Sequence, residues 1–232
     1  MKGDRVLRWN RTARIAHWLL FVGVTAGFIS GLPVLDGRLF KPLHDLLGGE
    51  AVREFLHYYV TTVFLGAAIP LIVIRGATAR GDEWWWPSWD EIRQAIRVIL
   101  HWFGLSREYP TIAFHHPLEK VFLMTVHFGL FLLGISGIPM IFTDLGPTYK
   151  FVLLLVHDFG FLLVGVPLAG HFLLAVNPAN WQALRAIFTD GKVNRSWASR
   201  HHPGWQLASA TEPREGSRQV HEPEVSAQEK QV

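Results

Sequence analysis

Two histidines interrupt the most apolar stretch of the chain, FVLLLVHDFGFLLVGVPLAGHFLLAVN, residues 151–177. His157 and His171 are fourteen residues apart, which is ~21 Å along a helix axis and most of the thickness of a hydrocarbon core. At about 100° per residue, this spacing leaves the two side chains only ~40° apart around the helix. Ionisable groups at membrane depth are costly and commonly functional. One imidazole near each leaflet, both on one face, is an arrangement that could hold two metal centres stacked across a bilayer.

The elements that must position these histidines are predicted from hydropathy. Half of the 232 residues are hydrophobic, and four runs are long enough to cross a bilayer. These runs lack the two-residue alternation of barrel strands. We therefore predict an all-α integral membrane protein, a four-transmembrane-helix bundle with an amphipathic cytoplasmic helix. The spans are predicted at about residues 15–32, 55–74, 121–142 and 151–176, within one domain over residues 1–205. The polar segment 206–232 is predicted to be a disordered cytoplasmic tail.

The distribution of basic residues predicts the orientation of the bundle. Of the 22 Lys and Arg residues, eighteen fall in the N-terminal arm, the connection between the second and third spans, and the C-terminal tail. Only Arg38, Lys41, Arg53 and Lys150 fall on the other side. Because basic residues concentrate on the cytoplasmic side of membrane proteins, we expect both termini of this multi-pass protein to be cytoplasmic. The basic excess therefore indicates topology, and we do not expect nucleic-acid binding.

The absence of cysteine limits the electron carriers that the chain can hold. With no cysteine, the chain has no ligand for an iron–sulfur cluster, no disulfide and no attachment point for a covalent c-type haem. If electrons pass through this chain, haem held by histidine is the remaining candidate carrier. Any iron–sulfur relay must then belong to a partner.

Four histidines are predicted at two matched depths. His57 and His157 each lie near the start of a span, toward the outer face, whereas His17 and His171 lie toward the inner face. A haem b iron takes axial imidazoles from opposite sides, so these pairs predict two bis-histidine haems. A membrane histidine can instead be a hydrogen-bonded packing residue. His127, about 10 Å from the inner end of its span, could also compete with His17 as the partner of His171.

Two segments outside the spans have amphipathic helical patterns. In the first, Ser88 and Glu91 stand at capping-box spacing, and Gly104 is expected to end the helix. The second covers residues 181–189 and is closed by Gly191. No internal repeat is evident along the chain.

With these features, the chain resembles the gamma subunit of respiratory formate dehydrogenases, a membrane di-haem cytochrome b, within a wider group that includes the b-type cytochromes of nickel–iron hydrogenases. The resemblance covers roughly residues 8–205. Its motifs are RxxHW at 14–18, WWWPS at 84–88, PLEK at 117–120, the two histidines of the fourth span, and WASRHHPGW at 197–205. The last motif favours the formate dehydrogenase branch over the hydrogenase branch.

The resemblance implies axial ligation of an outer haem by His57 and His157 and of an inner haem by His17 and His171. It also implies an iron–sulfur electron-transfer subunit and a catalytic molybdenum or tungsten subunit as partners. Electrons would pass from formate through these partners and two b haems to quinone, and this chain alone would oxidise no substrate.

The resemblance also implies where quinone binds. In the family, quinone binds beside the inner haem, near a segment that reads Asn-Ala-Gly-Gln-Lys, and this chain has HPLEK at 116–120 instead. His116 and Glu119 are therefore candidate quinone-site residues, because imidazole and carboxylate groups can exchange protons with a quinone. The alternative is that they cap the third span.

Three alternative functions remain open from the sequence. The chain could be a b-type cytochrome of a hydrogenase or another respiratory oxidoreductase, a stand-alone di-haem cytochrome, or a haem-free transporter with a histidine relay. The spans have few Ser, Thr, Asn or Asp residues to line a polar path, which disfavours a transporter. The HHPGW segment at 201–205 is expected to be an exposed docking surface, which disfavours a stand-alone protein.

Overall fold

The computed structural model describes residues 4–79 and 83–205. The predicted tail, residues 206–232, lies outside the described residues. So do Lys2 and Arg80, which were counted among the basic residues on the side of the chain ends. In chain order, the elements are β1 (Arg5–Leu7), α1 (Arg11–Leu35), α2 (Lys41–Leu47), α3 (Glu50–Thr78), α4 (Trp89–Trp102), α5 (Pro117–Phe142), α6 (Pro147–Val176), α7 (Trp181–Phe188), β2 (Lys192–Asn194) and α8 (Arg195–His201).

Four of these helices, α1, α3, α5 and α6, are long and apolar enough to cross a membrane. This confirms the predicted fold class. Each helix contains one predicted span and begins four or five residues before it. The difference has a local cause, because a helix begins at its cap and not at its first apolar residue. Helix α1, for example, begins after Asn10, whose side chain accepts a hydrogen bond from the backbone N–H of Ala13 at 2.8 Å.

The spanning helices form two hairpins. Helix α1 packs along α3 in the first hairpin, and α5 packs along α6 in the second. Small residues allow close approach, since a Cβ at Gly129 would lie only 2.7 Å from the side chain of Val164. The hairpins meet through Phe28 of α1 and Phe161 of α6, whose rings stack with centroids 4.5 Å apart.

The two hairpins carry a short sequence repeat, so the expectation of no internal repeat was wrong. The pattern G-x5-I-S-G-x-P occurs at residues 23–33 in α1 and at residues 129–139 in α5. Gly23 and Gly129 each pack against the second helix of their own hairpin. The repeat is hard to see in sequence because its five shared positions are separated by ordinary apolar residues.

The two ends of the described chain form a small domain-like cap, which we call the terminal cap and define as β1, α7, β2 and α8. Strands β1 and β2 pair antiparallel, with Val6 opposite Val193. At the edge of the terminal cap, the guanidinium of Arg5 lies 2.6 Å from the carboxylate of Asp190. The buried cluster of the cap contains Val6, Ala186, Val193, Trp197 and Ala198. This two-stranded sheet is the one departure from the predicted all-α architecture in the part of the chain that the structure describes.

The amphipathic helix α4 begins at the predicted capping box. The side chain of Ser88 accepts from the backbone N–H of Glu91, and the side chain of Glu91 accepts from the backbone N–H of Ser88. Gly104, with φ of 72°, follows the end of the helix as predicted. Lys120 at the start of α5 donates to Glu91 at 2.5 Å, which ties α4 to the second hairpin.

Candidate cofactor site

His57 and His157 face each other across the space between the two hairpins. Their ring centroids are 6.1 Å apart, and the ring planes make an angle of 60°. Two imidazoles that bind opposite sides of one metal at about 2 Å per metal–nitrogen bond have ring centroids roughly 6 Å apart. The separation of this pair therefore fits bis-imidazole ligation of one iron.

His17 and His171 form a second pair with similar geometry. Their ring centroids are 6.5 Å apart at an interplanar angle of 54°. Phe188 of the terminal cap packs edge-on against His17 at 5.5 Å, and Phe122 stacks face to face on His171 at 4.9 Å. The second pair also fits one iron between two imidazoles, with aromatic rings beside both ligands.

A local irregularity in α3 surrounds His57. The segment Phe55–Val60 is π-helical between two α-helical parts of α3. Such wide turns change the direction in which a helix presents its side chains, and they are frequent at functional sites. Hydropathy carries no signal for this turn, so the sequence predicted the depth of His57 but not its local backbone.

Ser30 fixes the orientation of the His57 ring. Its hydroxyl lies 2.5 Å from the carbonyl oxygen of Ala26, so the hydroxyl proton is donated to that carbonyl. The Oγ atom also lies 3.0 Å from Nδ1 of His57, and because its proton is committed, it accepts from an Nδ1–H. This arrangement leaves the Nε2 lone pair of His57 available to a metal.

The second hairpin repeats this arrangement around His157. The Oγ atom of Ser136 donates to the carbonyl oxygen of Leu132 at 2.6 Å and lies 3.0 Å from Nδ1 of His157. The neighbouring glycines make room for the rings, since a Cβ at Gly31 or Gly137 would lie 3.3 Å or 3.1 Å from Cε1 of the adjacent histidine. Ser30 and Ser136 were not predicted from the sequence. The ISG-x-P repeat was the signal that could have identified them.

The pair formed by His17 and His171 lacks such partners. Nδ1 of His17 is buried and has no hydrogen-bond partner among the described residues. In residues 4–79 and 83–205, no serine or threonine hydroxyl hydrogen-bonds to either ring of this pair. The two pairs therefore share a ring separation but differ in the groups that surround the ligands.

The residues present fit haem b better than a bare metal ion. In the described ranges, no group of three or more His, Cys, Asp or Glu side chains is placed to hold a metal ion. Zinc sites in proteins use three or four protein ligands, whereas a haem iron needs only two axial ligands because the porphyrin supplies the rest. Two imidazoles with Nε2 free at a bis-axial spacing are what haem b requires.

His127 makes contacts of a different kind. Its Nδ1 lies 2.6 Å from the carbonyl oxygen of Leu123, one turn earlier in α5. Its ring stacks on Trp85, with centroids 4.7 Å apart and an interplanar angle of 28°. These contacts are those of a packing histidine, and the ring that faces His171 belongs to His17.

His116 caps the N-terminus of α5. Its Nδ1 accepts from the backbone N–H of Leu118 at 3.1 Å, and its Nε2 lies 3.1 Å from the hydroxyl of Tyr109. Burial lowers the pKa of His116, and the charge of Glu119 partly opposes this shift. The capping role expected as the alternative is therefore present, and the hydrogen bond to Tyr109 extends it toward the surface.

Glu119 lies in a polar cluster at the start of α5. Its carboxylate accepts from the backbone N–H of His116 at 3.3 Å and lies 3.0 Å from Nδ1 of His115. The guanidinium of Arg8 approaches to 3.7 Å. Glu119 therefore completes a capping box with His116 and is also paired with buried cationic and imidazole groups.

The HHPGW segment is packed against this cluster, which corrects the expectation that it is an exposed docking surface. His202 is buried, and its Nδ1 donates to the carbonyl oxygen of Ala113 at 2.8 Å. The backbone N–H of Gly204 donates to the carbonyl of Ile112 at 2.8 Å. A polar sequence with two histidines resembles a solvated loop, and only the tertiary structure shows what covers it.

Arg8 lies among the residues of this packed cluster and contacts several of them. Its side chain is 3% exposed, and burial lowers its pKa while the charge of Glu119 opposes the shift. Burial, followed by the charge of Arg8, lowers the pKa of His202 to about 4. The guanidinium lies between 4.8 and 5.9 Å from the ring centroids of four aromatic residues: Trp9, Phe114, Trp197 and Trp205.

Comparison with known proteins gives consistent matches. The sequence model of the prokaryotic cytochrome b561 family matches residues 8–190. The chain is 22% identical over 210 residues to the formate dehydrogenase cytochrome b556(fdo) subunit of Escherichia coli strain K12, with 87% of this chain and 92% of that protein covered. It is also 22% identical over 211 residues to the formate dehydrogenase cytochrome b556 subunit of Haemophilus influenzae. This match covers 87% of this chain and 82% of that protein.

Proposed function

Because the chain belongs to the prokaryotic cytochrome b561 family, we propose that it binds two b-type haems, one between His57 and His157 and one between His17 and His171. The observation that carries this proposal is the pair of ring separations, 6.1 Å and 6.5 Å, each of which accommodates an iron between two imidazoles. When bound, each haem supplies a one-electron couple between ferric and ferrous iron.

We propose that the chain is the membrane subunit of a respiratory formate dehydrogenase complex that delivers electrons to quinone. Support comes from two relatives that are formate dehydrogenase cytochrome subunits and match along most of their length. Since the chain has no cysteine to ligate an iron–sulfur cluster, any iron–sulfur relay belongs to a partner, and we propose that an iron–sulfur subunit supplies the electrons. A catalytic molybdenum or tungsten subunit would oxidise formate.

We further propose an orientation in the bacterial inner membrane with both chain ends in the cytoplasm. The basic residues support it, because eighteen of 22 Lys and Arg residues lie on the side of the chain ends. His57 and His157 then hold the outer haem, and His17 and His171 hold the inner haem. On the cytoplasmic side, Phe188 of the terminal cap covers His17 and helps to exclude water from the inner ligand.

We place the quinone site beside the inner haem, at the start of α5. His116 and Glu119 are the residues proposed to exchange protons with quinone. The hydrogen bond between Nε2 of His116 and the hydroxyl of Tyr109 supports a route for protons from the surface. The guanidinium of Arg8, 3.7 Å from Glu119, supplies an opposite charge, and Nδ1 of His115 lies within hydrogen-bonding distance at 3.0 Å, which supports a carboxylate at this half-buried position.

The two-haem proposal is tested by haem quantification on the purified full chain. We expect two haems b per chain, with the low-spin reduced-minus-oxidised spectrum of bis-histidine ligation. A single haem per chain would contradict the proposed pairs, and a colourless protein would favour a histidine-relay transporter.

The proposed complex is tested separately by affinity purification of the tagged chain from native membranes. Recovery of an iron–sulfur subunit with a molybdenum or tungsten subunit supports the complex. Recovery of the haem-loaded chain alone would favour a stand-alone di-haem cytochrome.

A further inference from the structure

We propose that Ser30 and Ser136 are positioning residues that hold the reduction potential of the outer haem below that of the inner haem. The inference rests on the proposed two-haem function. It gives the chain a built-in direction, because electrons pass spontaneously from the lower potential to the higher one. The serines therefore favour transfer from the outer side toward the inner side.

In both hydrogen bonds between a serine and an outer histidine, the histidine is the donor. Ser30 and Ser136 each donate their single proton to a backbone carbonyl in their own helix, at 2.5 Å and 2.6 Å. Each Oγ must therefore accept from the Nδ1–H of the facing histidine, 3.0 Å away. A hydrogen bond from Nδ1–H raises the basicity of the ligating nitrogen on the same ring.

A more basic axial ligand stabilises the two oxidation states of iron to different extents. Ferric iron carries one more positive charge than ferrous iron, so a ligand with greater electron density stabilises the ferric form more. The reduction potential of that centre therefore falls, since hydrogen bonding around a ligand is one of the ways in which a protein sets a haem potential.

Both proposed axial ligands of the outer haem donate such a hydrogen bond. The ISG-x-P repeat places Ser30 against His57 and Ser136 against His157, one in each hairpin. Each ring of this pair therefore has a serine hydroxyl oxygen as the acceptor for its Nδ1–H, and replacing the serine with alanine removes that acceptor.

The inner ligands lack the equivalent bonds. Among the described residues, Nδ1 of His17 is buried without a hydrogen-bond partner. His171 stacks on Phe122 with ring centroids 4.9 Å apart, and because the two rings lie nearly parallel, the in-plane N–H of His171 does not point at that aromatic face. The inner imidazoles are therefore less electron-rich, and their iron is expected at the higher potential.

Charged groups lie near both pairs. Arg53 donates to Glu50 at 2.5 and 2.8 Å on the outer side, and Arg8 lies 3.7 Å from Glu119 on the inner side. Asp158, next in sequence to His157, adds a carboxylate on the outer side, and its charge lowers the potential of a nearby iron in the same direction as the hydroxyl bonds. The serine variants leave all of these charges in place, so their effect on the outer potential reports the hydroxyl bonds.

The test is a potentiometric titration of the purified, haem-loaded chain, followed by absorption. In the unsubstituted protein we expect two one-electron waves, and the single wave that remains in His171→Ala identifies the outer haem. In Ser30→Ala or Ser136→Ala we expect the ferrous-to-ferric ratio of the outer haem at fixed potential to rise about threefold. This corresponds to about 28 mV for a one-electron couple, while the wave of the inner haem stays in place.

The matched control is Thr125→Ala. The Thr125 hydroxyl donates to the carbonyl oxygen of Val121 at 2.9 Å, the same intrahelical bond, but it contacts neither outer histidine. We expect this variant to leave both waves unchanged. Ser30→Thr and Ser136→Thr keep the hydroxyl and should keep the original potential of the outer haem.

Each outcome decides the inference. An unchanged outer wave in haem-loaded alanine variants, or an equal shift of both waves, would overturn it. Loss of the outer haem in the alanine variants with recovery in the threonine variants would support the positioning role, and loss in both would overturn it. A haem content below two per chain would instead refute the two-haem proposal, whereas two haems that titrate at one potential would overturn this inference alone, so the two failures are distinguishable.

Discussion

The Cε1 atom of His157 lies so close to Gly137 that a Cβ on that glycine would be 3.1 Å away. A glycine at this position lets the imidazole rest directly on the backbone of α5, with Ser136 holding its Nδ1. The ring is thus fixed by a hydrogen bond on one side and by steric contact on another. In this way α5 sets the position of a histidine carried by α6.

The first prediction concerns this steric contact. In Gly137→Ala, the added methyl group must push the His157 ring by a few tenths of an ångström, because the interior has little free space. We expect a reduced content of the outer haem, or a shifted potential, with the inner haem unchanged. Haem quantification and potentiometric titration measure both.

Gly134→Ala is the matched control, because a Cβ at Gly134 meets nothing within 4 Å. It lies on the same helix and should behave as the unsubstituted protein. Equal haem content and equal potentials in both variants would show that Gly137 does not position the ligand.

The second prediction concerns Arg8. In Arg8→Ala, the aromatic rings around the guanidinium lose their central group and Glu119 loses its cationic partner. Removing one partner from a buried pair costs about 3–5 kcal/mol, so we expect a clear loss of thermal stability in detergent. The terminal cap should be released first, since Trp197 is one of the rings that contact Arg8.

Arg11→Ala provides the control for Arg8, because Arg11 is exposed at the start of α1. Exposed substitutions of this kind change stability by about 0.5 kcal/mol or less. Similar unfolding temperatures for the two variants would mean that the aromatic cage contributes nothing to stability.

The third prediction is a pH dependence of the terminal cap. Burial, and then Arg8, lowers the pKa of His202 from 6.5 to about 4, against a smaller opposing effect of Glu119. The docked cap therefore favours the neutral ring, and its full stability is present above pH 6.5. As the pH falls from 6.5 toward 4, that stability is lost, so amide exchange in α8 should accelerate after correction for its intrinsic pH dependence.

His202→Asn separates this effect from general acid sensitivity. The amide retains an N–H that can donate to the carbonyl of Ala113 but does not titrate. In this variant, we expect the amide exchange rate in α8, corrected for its intrinsic pH dependence, to be nearly constant between about pH 7.5 and about pH 5. An equal acceleration in both proteins would assign the effect to another group.

The spanning helices were predictable because hydropathy and length act locally. The predicted run 151–176 lies within α6, Pro147–Val176, and the depth of its two histidines follows from helical rise alone. The pairing of His57 with His157 also followed, since helices of known direction bring equal depths together. The groups that hydrogen-bond to each histidine ring were not predictable in this way.

Ser30 and Ser136 were missed because a small hydroxyl in an apolar run is also a common packing residue. Their role depends on which helix lies opposite, and that is a tertiary fact. The ISG-x-P repeat would have identified both positions at once, since two hairpins with the same pattern are expected to treat their histidines alike.

The terminal cap was missed for a different reason. Strand β1, Arg5–Leu7, is three residues long and pairs with Lys192–Asn194 from the other end of the described chain. Strands this short carry almost no local pattern. Likewise, His202 is buried where its Nδ1 bonds to the carbonyl oxygen of Ala113, a residue remote in sequence, so the local sequence HHPGW does not predict its burial.

The most direct test of the account is a set of alanine variants at His17, His57, His157 and His171, with His127→Ala as the control. Reduced-minus-oxidised spectra and potentiometric titration would identify which haem each variant retains. We predict that His57→Ala and His157→Ala lose the same haem, that His17→Ala and His171→Ala lose the other, and that His127→Ala keeps both. Variants that do not group in these pairs, or loss of a haem in His127→Ala, would contradict the two-haem arrangement.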